Sequence, residues 1–177
     1  MKNNKMRNFF LGTFVLCGII AATVVLQNFI KNTSNQSASK KITRVYVDGV
    51  FDLFHLGHAS FLEKARTLGD CLIVWVCSDE ECTDYKRKPI LTIEERVKSV
   101  EGCRYADEVI SNAPLVPDAK FFDKHKIDIV VHGDDFDKEK LYKYYGAAID
   151  KGIFRTVPYS KGISTTDIVQ RILSRRW

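Results

Sequence analysis

From Ile42 onward the chain alternates short apolar runs with segments whose apolar residues recur at helical spacing. Val45-Tyr46-Val47 predicts a first strand. Phe61, Leu62, Ala65 and Leu68 then share one face of a helix over Ala59–Leu68. The run Cys71–Cys77, CLIVWVC, is continuously apolar, as expected of a strand covered on both faces of a parallel sheet. Thr92 and Glu95 make a capping box that opens a helix over Thr92–Val100. Glu108–Ile110 and Ile127–Val131 predict two further strands, and Asp118–Lys126 and Lys138–Asp150 two further helices. Ser164–Leu173 predicts a closing helix with Ile168, Val169 and Ile172 on one face. This alternation predicts an α/β fold, a Rossmann-like doubly wound parallel sheet with its ligands at the carboxyl ends of the strands.

Ahead of this domain the pattern changes. Phe9–Ile30 carries no charged side chain, and about 20 apolar residues suffice to cross a bilayer. Its small residues Ala21-Ala22 sit inside the apolar run, not after it, which favours an uncleaved anchor over a signal peptide. The polar, Ser/Asn-rich stretch up to Lys41 reads as a tether. The expected organisation is therefore an N-terminus (1–8), a transmembrane anchor (9–30), a linker (31–41) and a folded domain (42–177). Basic residues flank the apolar run about equally, so charge leaves the orientation open.

Composition narrows the classes. Hydrophobic residues make up 45% of the 177 and charged residues 28%, which is globular and not disordered. A formal charge of +5 suits an anionic small substrate or a membrane surface. No basic helix with interleaved aromatics is present, and nucleic acid is not an expected partner. The five cysteines form no CxxC pair and read as reduced thiols facing a reducing compartment.

Candidate chemistry concentrates where strands give way to helices. His55 and His58 flank Gly57 between the first strand and the first helix, where a helix N-terminus adds positive potential for phosphate. Two imidazoles also suit zinc, but no third ligand stands at suitable spacing, so no protein-held metal is expected. Gly162-Ile163-Ser164-Thr165-Thr166 is a second phosphate candidate, although hydroxyls before a helix also serve as plain caps. Lys86, Arg96, Arg104 and Asp107 have the plain reading of solvated surface charge.

Together, YVDGVFDLFHLGH, the SDEE segment, EER, RYADEVI, HGDD and GISTTDIV resemble the CTP:phosphocholine and CTP:phosphoethanolamine cytidylyltransferases over about Arg44–Leu173. The smaller glycerol-3-phosphate cytidylyltransferases are also similar. The resemblance implies transfer of cytidylyl from CTP to a phosphorylated amino alcohol, giving a CDP-alcohol and pyrophosphate for phospholipid synthesis. It implies that His55 and His58 stabilise the reacting phosphorus and that Lys86 bridges substrate phosphate and CTP. Val50 and Phe51 would supply backbone contacts, and Arg104 and Asp107 would serve nucleotide binding and a dimer interface. His132, Gly133 and Asp134 would meet the nucleotide, and Lys161, Gly162, Ile163, Ser164 and Thr165 the triphosphate. Mg2+ would accompany CTP, and the working unit would be a homodimer. Cytosolic nucleotide then implies a single-pass membrane protein with its catalytic domain in the cytosol.

The sequence departs from the family pattern in places. Tyr159-Ser160-Lys161 stands for Arg-Thr-Glu, Arg87 for a glycine after the lysine, and Trp75 for a glycine in the second strand. The missing arginine keeps open a non-catalytic nucleotide-binding partner as an alternative. Leu115 stands where choline enzymes carry a tryptophan cage wall, and HGDD is closer to the ethanolamine enzymes. Phosphoethanolamine is thus the favoured acceptor, with phosphocholine next and glycerol 3-phosphate as an alternative.

Overall fold

A computed structural model describes residue 27 and residues 41–85, 87–158 and 162–175. The chain divides into two compact units, Met1–Lys41 and Ile42–Trp177, of which the second carries the fold considered below. The predicted anchor over 9–30 lies outside the described residues apart from Gln27. Among the described residues no helix is long and apolar enough to cross a membrane. The expectation of a single-pass membrane protein is corrected accordingly.

The domain is built on five parallel strands in the order β3-β2-β1-β4-β5. They are β1 (Arg44–Gly49), β2 (Cys71–Cys77), β3 (Glu108–Ala113), β4 (Ile129–Gly133) and β5 (Phe154–Val157). Six helices connect or follow them: α1 (Leu56–Arg66), α2 (Asp79–Tyr85), α3 (Ile93–Glu101), α4 (Ala119–Lys124), α5 (Lys138–Asp150) and α6 (Thr165–Leu173). The chain moves outward from β1 to β3, then returns to place β4 on the other side of β1. That reversal makes the β1–β4 boundary the topological switch point, where a crevice opens above the strand ends.

Side chains alternate across the sheet and separate two apolar layers. Val45, Val47, Val74, Val76 and Val131 pack with Leu62 and Ala65 of α1 and Val100 of α3. On the opposite face Tyr46, Ile73, Trp75 and Val130 pack with Phe122 of α4 and Tyr145 and Ala148 of α5. Trp75, paired with Asp48 across the β1–β2 ladder, is absorbed here. Its ring lies 5.4 Å from Tyr46, 4.9 Å from Phe121 and 4.7 Å from His125. The departure from glycine at that position is therefore a packing change in the layer beneath α4, away from the strand ends.

Two elements were not predicted. β5 is a short edge strand whose Arg155 and Thr156 face solvent, which leaves too few apolar residues to mark it. α2 begins on Ser78, whose hydroxyl accepts from the Glu81 amide at 3.2 Å, and it carries Asp79, Glu80 and Glu81 in its first turn. A capping serine followed by acids is a helix-start signal. The last helix also differs from expectation: α6 has no buried residue, and Ile172 is 50% exposed.

Candidate functional site

The switch-point crevice is a cleft of about 250 Å³. Gly49, Val50, Phe51, Asp52, His55, Gly57 and His58 approach it from β1 and the start of α1. His132, Gly133 and Asp135 reach it from the end of β4, Arg87 from the loop after α2, and Ser164, Thr165 and Thr166 from the start of α6. Two strand ends and two helix N-termini thus meet one space.

The turn after β1 is shaped by an unusual backbone. Phe51 and Leu53 adopt left-handed conformations, with φ of 53° and 48°, which non-glycine residues take only where their surroundings hold them. Asp52 supplies that hold. Its buried carboxylate accepts from the Ile90 amide at 3.1 Å and the Leu91 amide at 3.0 Å. Its carbonyl accepts from the Thr165 hydroxyl at 3.0 Å, which ties α6 to the same turn. Arg87, at 3.9 Å from the Asp52 carboxylate, brings a guanidinium onto the cleft wall.

The histidine pair is built as a helix cap. The Gly57 amide donates to His55 Nδ1 at 3.1 Å, and the His55 amide donates to His58 Nδ1 at 3.4 Å. Because both Nδ1 atoms accept, the neutral rings carry their protons on Nε2, a tautomer assigned from these bonds. The rings stack at 3.9 Å and 21°, an arrangement that two imidazolium cations would resist. Burial lowers the His55 pKa below the ordinary histidine value, opposed by the nearby Asp167 carboxylate. The first turn of α1 contains no acidic residue, so its positive end is left to an external anion.

Gly57 is needed for this stacking. A Cβ there would come within 2.9 Å of His55 Cε1 and 3.0 Å of the Ile163 carbonyl oxygen. Gly57→Ala is expected to displace the imidazole and lower turnover roughly 100-fold, since small misplacements of reacting groups carry costs of that order. The thermal midpoint should change little, because alanine's better helix propensity offsets the crowding. Steady-state kinetics beside a melting curve checks this, and unchanged turnover would contradict the packing argument.

A smaller cavity of about 80 Å³ adjoins the cleft and shares Asp48, Gly49, Val50, His132 and Phe136 with it. Its remaining wall is Cys77, Glu81, Cys82, Leu115, Tyr144 and Tyr145. The Tyr145 and Tyr46 hydroxyls donate to Asp48 at 2.7 and 2.9 Å. Burial raises the Asp48 pKa, opposed by the Tyr145 bond, by His132 and by the Tyr46 bond. His132 Nδ1 lies 2.9 Å from the Gly133 carbonyl oxygen, which can only accept, so Nδ1 holds the ring proton. Its ring packs on Phe136 at 4.3 Å and Tyr145 at 5.1 Å.

Most residues singled out from the sequence converge here, but not all. Val50, Phe51, His55, His58, His132, Gly133, Ser164 and Thr165 line the cleft. Ile163 and Gly162 are not in the lining: the Ile163 carbonyl oxygen lies beside Gly57, and Gly162, at φ 112°, provides the glycine-type bend before α6. Asp134 is exposed and is not part of the lining, whereas its neighbour Asp135 is. Lys86 and Lys161 lie outside the described residues. Arg104 and Asp107 require correction: they sit at the amino ends of the strands, across the sheet from the cleft. Asp107 accepts from the Leu72 amide at 2.7 Å and pairs with Arg66 at 2.8 Å, while Arg104 stacks on Tyr105.

Sequence reasoning overlooked Asp48, Asp52 and Glu81, and its reading of Arg96 as solvated surface charge is corrected. Arg96 is fully buried, bonding the Val50 carbonyl at 2.6 Å, the Cys77 carbonyl at 2.8 Å and the Asp79 carboxylate. Its place after Glu94 and the capping Glu95 gave only a helical surface pattern. The described cysteines Cys71, Cys77, Cys82 and Cys103 are free thiols. Among the described residues no three His, Cys, Asp or Glu side chains gather to hold a metal.

Known proteins are similar to this chain. An ethanolamine-phosphate cytidylyltransferase of Dictyostelium discoideum is 43% identical over 138 residues, covering 77% of this chain and 38% of that protein. Choline-phosphate cytidylyltransferase A of Homo sapiens is 39% identical over 150 residues, covering 81% of this chain and 40% of that one. The chain thus spans about two fifths of the length of these curated relatives. A crystal structure of a lipopolysaccharide core biosynthesis protein from Thermoplasma volcanium GSS1 superposes with a TM-score of 0.55 at 30% identity. That match covers 69% of this chain and 99% of the other. With a cytidylyltransferase-like family model matching residues 46–171, on the same strands, turn and helix starts that build the cleft, the chain belongs to the cytidylyltransferase-like family.

Proposed function

We propose that this domain transfers cytidylyl from CTP to a phosphorylated amino alcohol, phosphoethanolamine first, releasing pyrophosphate. The observation that carries the reading is the convergence of His55, His58 and Ser164–Thr166 on one cleft at the switch point. In the reaction a phosphate oxygen of the acceptor attacks the α-phosphorus of CTP. A new Pα–O bond forms, the bond from Pα to the β-bridging oxygen breaks, and its electron pair leaves with pyrophosphate. A phosphate monoester is already largely dianionic near neutral pH, so the nucleophile needs no general base. The work left to the protein is alignment and stabilisation of charge on the transferring group. Nε2–H donors of neutral His55 and His58, with the open end of α1, suit that task. Ser164–Thr166 and Arg87 line the same cleft, which supports a role for them toward the rest of the triphosphate.

The triphosphate of CTP would bring Mg2+, which would supply neutralisation of its charge. Among the carboxylates lining the cleft, Asp52 is committed to backbone amides and Asp48 to phenols. Asp135 is therefore the side chain to approach that ion from the protein. A homodimer is the working unit that the resemblance supports. The smaller cavity, walled by aromatic rings and two carboxylates, supports a cationic alcohol over glycerol. The test is pyrophosphate release by the full chain with CTP or ATP against phosphoethanolamine, phosphocholine and glycerol 3-phosphate. CTP with phosphoethanolamine is expected to give the highest turnover. CTP-dependent thermal stabilisation with no pyrophosphate from any pair would replace this reading with that of a non-catalytic nucleotide binder.

A further inference from the structure

Among the described residues, Glu81 is the one lining the smaller cavity that has a buried side-chain oxygen without a hydrogen-bond partner. Its Oε1 accepts from the Leu115 amide at 3.1 Å, which bends the side chain from the first turn of α2 across to the loop after β3. Its Oε2 is buried and has no hydrogen-bond partner among the described residues. A buried carboxylate oxygen without a donor is costly, and such an atom calls for a ligand to complete it. The neighbouring acid, Asp48, is already satisfied by two phenol hydroxyls. The cavity that Glu81 lines is also walled by Phe136, His132, Tyr144 and Tyr145, aromatic rings that suit a cation.

We propose that Glu81 is the specificity residue of the acceptor site, its Oε2 accepting an N–H of a primary ammonium and thereby selecting it over a quaternary one. The inference rests on the transferase reading for what the ligand is, but the selection is a property of the cavity. A primary ammonium brings three N–H donors, one of which completes Oε2. A trimethylammonium brings none. It would leave the carboxylate oxygen desolvated and unbonded, with only the aromatic faces and unscreened charge attraction in its favour. Leu115 lines the same cavity in place of a tryptophan wall, which takes one ring face away from a quaternary cation.

The test varies the number of N–H donors one at a time. Phosphoethanolamine, its N-monomethyl and N,N-dimethyl derivatives and phosphocholine are titrated into the full chain by calorimetry with a non-hydrolysable CTP analogue. The same four are assayed for pyrophosphate release. Glu81→Gln keeps the acceptor for the Leu115 amide while removing the charge, and Glu81→Leu removes both. The native chain is expected to favour phosphoethanolamine over phosphocholine roughly 10- to 100-fold, the range for a charge-assisted hydrogen bond. In Glu81→Gln that ratio should collapse to within about threefold, with CTP affinity unchanged. A preference for phosphoethanolamine that survives in both variants overturns the proposal, as does equal binding of all four ligands, or no binding of any, by the native chain. Selective binding without pyrophosphate from any ligand would sink the transferase reading and leave the assignment of Glu81 standing.

Discussion

His58→Ala should lower cytidylyl transfer roughly 1,000-fold while the domain remains folded. Removing one preorganised donor from developing charge costs about 3–4 kcal/mol of transition-state stabilisation, which sets that scale. The structural cost is smaller. His58 Nδ1 accepts the His55 amide at the helix start, and losing such a capping contact costs about 1 kcal/mol. His58→Asn retains an acceptor near the His55 amide and separates the two effects. It should melt with the native chain and still lose most of the activity. His55→Ala should fall by a similar factor, and the double variant by much less than the product, because the stacked rings act as one unit. Single-turnover kinetics beside thermal melts decide the matter. Activity within tenfold of native in His58→Asn and His58→Ala would remove the pair from the reacting centre.

The parts of this site that were legible in the sequence are those whose chemistry and position coincide. The HLGH turn announces itself because two imidazoles and a glycine stand where an apolar run ends and a helical pattern begins. GISTT is visible for the same reason before α6. What escaped detection acts over sequence distance. Asp52 lies within the motif, yet its task is to hold the amides of Ile90 and Leu91. Glu81 looks like one more acid in an acidic helical turn until its side chain is found bonded to Leu115. Arg104 and Asp107 erred in the opposite direction: a family-like segment was read as touching ligand, whereas the sheet places it at the amino ends of the strands. That placement was legible: both residues precede the predicted strand Glu108–Ile110 and so fall at its amino end, away from the carboxyl ends where ligands were expected. The fold itself was more accessible, since CLIVWVC and the capping box at Thr92 depend only on near neighbours. β5 was missed because an edge strand with two exposed polar residues leaves almost no apolar signal.

Arg96→Met should destabilise the domain by about 3–5 kcal/mol, the range for stripping one partner from a buried ionic network. Arg96 has no solvent exposure and its guanidinium satisfies three acceptors on separate segments. Methionine fills much of the volume but leaves the Val50 and Cys77 carbonyls without their donor. Each orphaned carbonyl carries a desolvation penalty of about 1–3 kcal/mol. The thermal midpoint should drop on the order of 10–15 °C. Because Val50 and Cys77 are the residues at which β1 and β2 give way to loops, loss of alignment should accompany the loss of stability. Turnover measured well below the melting point should therefore fall at least tenfold, while substrate binding weakens less. Arg96→Lys can reach one or two of the acceptors but cannot fork between them, so it should recover part of the stability and little of the alignment. A fully stable Arg96→Met domain with native kinetics would mean that the two strand ends hold their geometry without the arginine. The left-handed turn at Phe51 would then depend on Asp52 alone.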